Sequence, residues 1–335
     1  MIRLVGFVLA PLVAAAHPVP ATAQASAPTP SPALASLQQR DTMLFSVGWR
    51  LVTGNARYCE DASPAPGLLL HDAHAYGDDG SIRSQLGLMG DIGVQAVAPG
   101  SPASRAGLAA NMTLLELDGM PVAEHFPRSE PSWQRLVELH AAVVTAFADG
   151  EAQLRFARSG GEPEEVTLAG EPACPTRFEV LDDGARALAD GKRVIFGRDF
   201  PGFEFPEDQF AAAVAHELAH NLLKHRALLD REGRSRKLRR LTERDADRLM
   251  PWLLHNAGYD PRAAARFMDN WGRNHSRGFF TRALYNEGWD ERLEHIEAEI
   301  AYLETVRRDT GEADWQRDFR REAEGQQRPV TRRLP

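Results

Sequence analysis

The five residues His216-Glu217-Leu218-Ala219-His220 constrain this chain more than any other stretch. They lie in an Ala- and Leu-rich run from Phe210 to Leu223 that holds no Gly or Pro. Pro206 stands near its start, and Glu207 and Asp208 fall in the first turn, so the run reads as a helix. Residues four apart on a helix share a face, which brings the two imidazoles to one point. Paired imidazoles at that spacing suit a zinc ion, and Glu217 is placed to reach a water beside it. Such a site still needs a third ligand. Thr242-Glu243-Arg244-Asp245-Ala246-Asp247 opens a second helical stretch in which Glu243 and Asp247 share a face. A carboxylate from that stretch completes a His/His/Glu set and leaves a fourth position open for water. The chain then has to bring two separated helices together around one cation.

The order HExxH, then ExxAD, resembles the gluzincin family that includes HtpX, the mitochondrial inner-membrane stress protease and the CaaX prenyl protease. Asn256-Ala257-Gly258-Tyr259-Asp260-Pro261 extends the likeness, which spans roughly residues 176–300. The resemblance implies a mainly helical zincin metallopeptidase domain with a small edge sheet, Zn2+ as cofactor and peptide-bond hydrolysis. It makes His216, His220 and Glu243 the metal ligands, Glu217 the general base, and Asp247 the group that steadies a ligand His. It also implies an edge strand along the cleft, placed here at Val194 to Gly197. Relatives carry a Thr-His-Pro whose His is thought to serve the oxyanion. This chain reads Thr281-Arg282-Ala283-Leu284-Tyr285 instead. Tyr285 is the first candidate to replace that His, Arg292 the second and His275 the third.

A second unit precedes this one. Leu86-Gly87-Leu88-Met89-Gly90 leads into Ile92 to Leu108 and then Met112 to Val122. The pattern reads as strand, Pro-Gly turn, short helix ending at Gly107, strand and Asp118-Gly119 turn. It resembles a bacterial PDZ domain, with Asn111-Met112 where the family has Gly-Asp. Ser132 to Phe147 would be its second helix, and Gln153 to Leu168 a closing hairpin around Gly160-Gly161. PDZ domains add an extended peptide to a sheet edge. By that resemblance the backbone of Gly87, Leu88, Met89 and Gly90 would receive a terminal carboxylate. The other reading is a PDZ that only shapes access to the peptidase.

The start of the chain bears on compartment. A single Arg3 precedes a short apolar run, and Ala23-Gln24-Ala25 follows as an A-x-A cleavage site. This reads as a signal peptide over 1–25, and no other stretch is long enough to span a membrane. The expectation is a periplasmic or secreted protein. Two cysteines in an exported chain suggest a Cys59–Cys174 disulfide. A formal net charge of −8 argues against a nucleic-acid partner.

The fold class expected is α+β: a helical zincin domain with an inserted, β-rich PDZ. The division runs 26–39 linker, 40–85 segment packing on the peptidase, 86–170 PDZ, 171–308 metallopeptidase, 309–335 disordered tail. The stretch 40–59 is helix or strand. Residues 68–70 suggest a strand, and His71 and His74 are loop histidines. Pro251 kinks or restarts its helix. Arginines at 231, 234, 236, 239 and 240 form a solvated stretch or a cover over the cleft that favours acidic segments. Polypeptides in the cell envelope are the expected substrates. The competing expectation is a PDZ with a weak or silent peptidase fold, acting as a chaperone or adaptor. The intact Glu217 favours the enzyme.

Overall fold

The computed structural model describes residues 29–77, 80–130, 133–182, 184–275 and 288–325. Its first element is helix α1 (Pro32–Gly54). The Ser31 hydroxyl accepts the Leu34 N–H, and Pro32 sits in the first turn, where a missing N–H costs nothing. The expected linker over 26–39 is therefore corrected: it gives way at Ser31. The last proline of the run starts the helix, and Ala33, Leu34, Ala35 and Leu37 propagate it. The stretch from Arg40 onward is the rest of the same helix.

Helix α1 joins the two halves of the molecule. Leu44, Leu51 and Val52 enter the larger core. At Gly48 a Cβ would meet the Phe178 ring at 2.4 Å, so only glycine permits this crossing. Asp41, 5% exposed, accepts the Val180 N–H at 2.7 Å and the Gln95 Nε2 at 2.7 Å, one from each half. Burial pushes its carboxyl up to about 7.

The smaller half follows. After β1 (Ser63–Ala65) come β2 (Leu68–Asp72), α2 (Ser81–Leu86), β3 (Ile92–Val97) and the single-turn α3 (Pro102–Arg105). Next are β4 (Thr113–Leu117), β5 (Met120–Pro121), the short α4 (Val122–His125) and α5 (Trp133–Ala146). Strands β6 (Glu151–Ala157), β7 (Glu164–Ala169) and β8 (Glu171–Ala173) complete it. The main sheet runs β2-β3-β4-β6-β7, antiparallel throughout, with β5 on β4. Val94, Leu117, Leu139, Phe147 and Phe156 fill its core. The sheet takes in β2, so this half begins near Leu68 rather than at residue 86. The boundary was hidden because β2 is buried on both sides: Leu70 faces this core and Leu69 the larger one. At the neck β1 pairs with β8. The Cys59–Cys174 disulfide lies close by, Cα atoms 5.6 Å apart, and closes the loop that contains this half.

The larger half has a three-stranded sheet, β9 (Arg177–Leu181), β10 (Ala187–Ala189) and β11 (Arg193–Gly197), in the order β10-β11-β9. Helices α6 (Glu207–Leu222), α7 (His225–Glu232), α8 (Arg236–Asn256), α9 (Ala263–His275), α10 (Trp289–Thr310) and α11 (Trp315–Asp318) follow. Residues Phe210 to Ala215 of α6 are all 0% exposed, and their alanines let α8 and α9 pack close. Helix α8 runs on through Pro251 as one element, so it does not restart there.

The tail also departs from expectation. Trp315 and Phe319 are each 2% exposed in the larger core. Asp245 accepts the N–H groups of Glu322 and Ala323, both at 2.9 Å, and Arg248 pairs with Glu322 at 2.8 Å. The chain is thus docked as far as Gly325 rather than disordered from residue 309. Two aromatic anchors, worth about 1.5–3 kcal/mol each when fully buried, outweigh the polar composition around them. Among the described residues no helix is long and apolar enough to cross a membrane.

Candidate metal centre

Helices α6 and α8 pack side by side and present one face each to a common point. His216 is 1% exposed, and its Nε2 lies 3.3 Å from the His220 Nε2. Glu243 reaches across from α8, with Oε2 3.4 Å from His216 Nε2 and Oε1 3.6 Å from His220 Nε2. These ligand atoms form a cluster within 4.8 Å that could hold a metal ion. The separations themselves test the fit. Donors about 2.0–2.1 Å from a tetrahedral zinc lie roughly 3.3–3.4 Å from one another. The two imidazole nitrogens match that spacing, and each has its own Glu243 oxygen within a few tenths of an ångström of it, Oε2 beside His216 and Oε1 beside His220.

Each imidazole is held from behind by a different group. His216 Nδ1 lies 3.0 Å from Asp247 Oδ1, and Asp247 is 0% exposed. Arg292 grips Asp247 with both arms, Nε at 2.6 Å and Nη2 at 2.7 Å. Burial alone would raise the Asp247 carboxyl, but Arg292 and His216 hold it below its ordinary value. His220 Nδ1 instead meets His225 Nδ1 at 2.9 Å. His225, 3% exposed, is the first residue of α7, just after Lys224 turns the chain through a left-handed conformation.

The electrostatics separate the pair of imidazoles. Burial lowers both. For His216 the carboxylates of Asp247 and Glu243 overcome it and raise the group to about 10. For His220 burial prevails, and the value falls to about 4. Glu243 is desolvated, yet the two histidines hold it well below the usual carboxylate range. Glu217, 4% exposed, is pushed up to about 7 by burial. Glu217 joins His216, His220 and Glu243 in lining one cleft of about 390 Å³.

The strand beside this cleft is β10, through Ala187, Leu188 and Ala189. The expected placement at Val194 to Gly197 is corrected. Those residues form β11, the middle strand, which has a neighbour on each side and so no open edge. Asn221 sets the strand beside the helix: its Oδ1 accepts the Gly191 N–H at 2.8 Å and its Nδ2 donates to Arg193 O at 3.1 Å.

Two further expectations change. Arg292 does not face the cleft as an oxyanion donor; Asp247 occupies its guanidinium. Tyr285 and the side chain of His275 lie outside the described residues. In the Gly87–Gly90 loop, three of the four N–H groups that would receive a carboxylate are already bonded within the chain. Gly87 N–H is bonded to Ser84 O at 3.2 Å, Leu88 N–H to Arg83 O at 2.9 Å and Met89 N–H to Thr113 Oγ1 at 2.9 Å. Its glycine serves the C-cap of α2, at φ 65°. The main sheet ends in β7 on one side and β2 on the other, and α5 runs beside β2 with Trp133 and Val144 about 60% exposed.

The sequence reading missed His225 and Asn221. Asn221 directly follows the second ligand, which was its only signal. His225 lies five residues beyond His220, off the helical period, so no spacing rule connects the two. Comparison with protein-family models, with curated proteins and with solved structures finds no match to this chain.

Proposed function

We propose that the protein is a zinc-dependent endopeptidase acting on exported polypeptides. The observation that carries this reading is the gathering of His216, His220 and Glu243 donor atoms within 4.8 Å of one another, with Glu217 lining the same cleft. His216, His220 and Glu243 would hold the ion. Zinc at such a centre supplies a Lewis acid that activates water and polarises a carbonyl. Glu217 does the proton work. A carboxyl poised near 7 takes a proton from the attacking water and returns it to the departing amine. Asp247, clamped by Arg292, fixes the ring plane of His216, and His225 does the same for His220. The order HExxH, then ExxAD, supports the same assignment by resemblance.

Two strand edges support a polypeptide substrate. Strand β10 borders the cleft, so an extended segment can pair with it and lie across the centre. Strand β2, with α5 beside it, offers a second edge for an unfolded chain, in keeping with the PDZ-like order of this half. The disulfide accords with an oxidising, extracellular compartment.

Casein and quenched fluorescent peptides test the reading, using wild type, Glu217→Gln and a chelated sample. Wild type should cleave, chelation should abolish cleavage and added zinc restore it, and Glu217→Gln should lose at least about 10²-fold in kcat. Equal activity in wild type and Glu217→Gln overturns it, and leaves the chaperone or adaptor.

A further inference from the structure

The cleft that receives Glu243 also gathers cations. Arg226 from α7, Arg234 from the turn before α8 and Arg239 from α8 all line it. Arg239 stands one helical turn before Glu243, on the same face. Arg226 and Arg234 share a single carboxylate, Asp230, the first at 3.9 Å and the second in a closer pair. No described residue forms an ion pair or a side-chain hydrogen bond with the Arg239 guanidinium. Strand β10 brings only Ala187, Leu188 and Ala189 to the same cleft, with no charge. Outside the metal set, three arginines and one acidic residue, the buried Glu217, line the cleft, and Asp230 pairs with two of the three arginines.

This surplus is placed by the fold, not by local composition alone. Arg226 lies in a different helix from Arg239, and the turn around Gly233 (φ 86°) brings the two helices back to one cleft. Guanidinium groups collected at an open cleft repel one another and are relieved by an entering anion. A planar fork with all its donors unspent matches a carboxylate in two-point fashion.

We propose that this rim selects substrates by an acidic group next to the scissile bond, with Arg239 as the specificity-determining contact and Arg226 and Arg234 reinforcing the field. The inference rests on the peptidase reading above and adds the substrate class. The group recognised is a carboxylate, supplied either by a Glu or Asp side chain or by the free C-terminus of the substrate.

The test is a matched peptide series. Each member carries Glu or Gln at one of the positions flanking the bond, and each is made with a free or an amidated C-terminus. kcat/KM is measured for wild type, Arg239→Gln and Arg239→Lys. The readout is the Glu/Gln ratio within each variant, so differences in folded fraction cancel. Wild type should prefer one acidic position, or the free terminus, by about ten- to a hundredfold, the scale of one charge-assisted pair. The preference should fall toward parity in Arg239→Gln, return in part in Arg239→Lys, and weaken as salt is raised. Wild type that cleaves acidic and neutral members equally overturns this inference and leaves the peptidase standing. So does a preference that survives in the Arg226→Gln/Arg239→Gln double variant. Wild type that cleaves no member overturns both.

Discussion

Replacing Asp41 by Asn tests how α1 joins the two halves. In the folded chain burial raises the Asp41 carboxyl from 3.8 to about 7. In the unfolded chain it ionises near its ordinary value. Between those two values the folded form holds a proton that the unfolded form has lost. Stability therefore falls as pH rises through this window, and the loss is complete above about pH 7. A shift of about three units corresponds to ~4 kcal/mol as an upper bound, and about 2–4 kcal/mol is expected. Asn keeps the geometry without the charge. Its Oδ1 accepts the Val180 N–H, and its Nδ2 donates to Gln95 Oε1, which has no partner in the wild-type arrangement, once the Gln95 amide turns over. Urea denaturation at pH 4 and pH 8 provides the assay. Asp41→Asn should match wild type at pH 4 and exceed it by about 2–4 kcal/mol at pH 8. A variant destabilised equally at both pH values refutes the reasoning, because it would show a charged Asp41 whose acceptor bonds Asn cannot replace.

Other outcomes follow from the same geometry. Asp247→Asn and His225→Ala should each weaken zinc binding about 10- to 100-fold in competition with a chromogenic chelator. Arg292→Met should weaken it too, by removing the two-point clamp and leaving Asp247 buried with His216 as its remaining partner. Cys59→Ser/Cys174→Ser opens a loop of sequence separation 115, and should cost about 4–5 kcal/mol in urea melts without moving the metal-binding residues. Zinc binding at pH 7.5 should release about one proton, since His216 is protonated below about 10 without metal. Calorimetry in buffers of different ionisation enthalpy measures it, and a proton count near zero contradicts that ordering.

The metal cluster was legible because its spacing is tied to helix geometry. His216 and His220, and Glu243 with Asp247, fall four apart, and a helix leaves no other way to read which residues share a face. The cysteine pair was legible because only one pairing exists. What escaped depended on contacts distant in sequence. Trp315 and Phe319 dock the tail, but two aromatics in a polar stretch do not reveal what they will meet. Gly87 looks alike as a helix cap and as part of an anion loop, since both need the same backbone freedom. Leu68 to Leu70 form an apolar run that could have packed on either core, and it packs on both. Strand β10 has three residues, too few for any period, so the longer β11 drew the edge assignment.

The central claim is that side chains from α6 and α8 gather around one zinc ion. X-ray absorption of the zinc-loaded protein tests it most directly, read beside the metal content per chain. One zinc per chain is predicted, with two imidazole nitrogens at about 2.0–2.1 Å and oxygen donors at about 2.0–2.2 Å, and with a lower metal content in Glu243→Gln. A protein that takes up no zinc, or whose zinc spectrum is unchanged by Glu243→Gln, contradicts it.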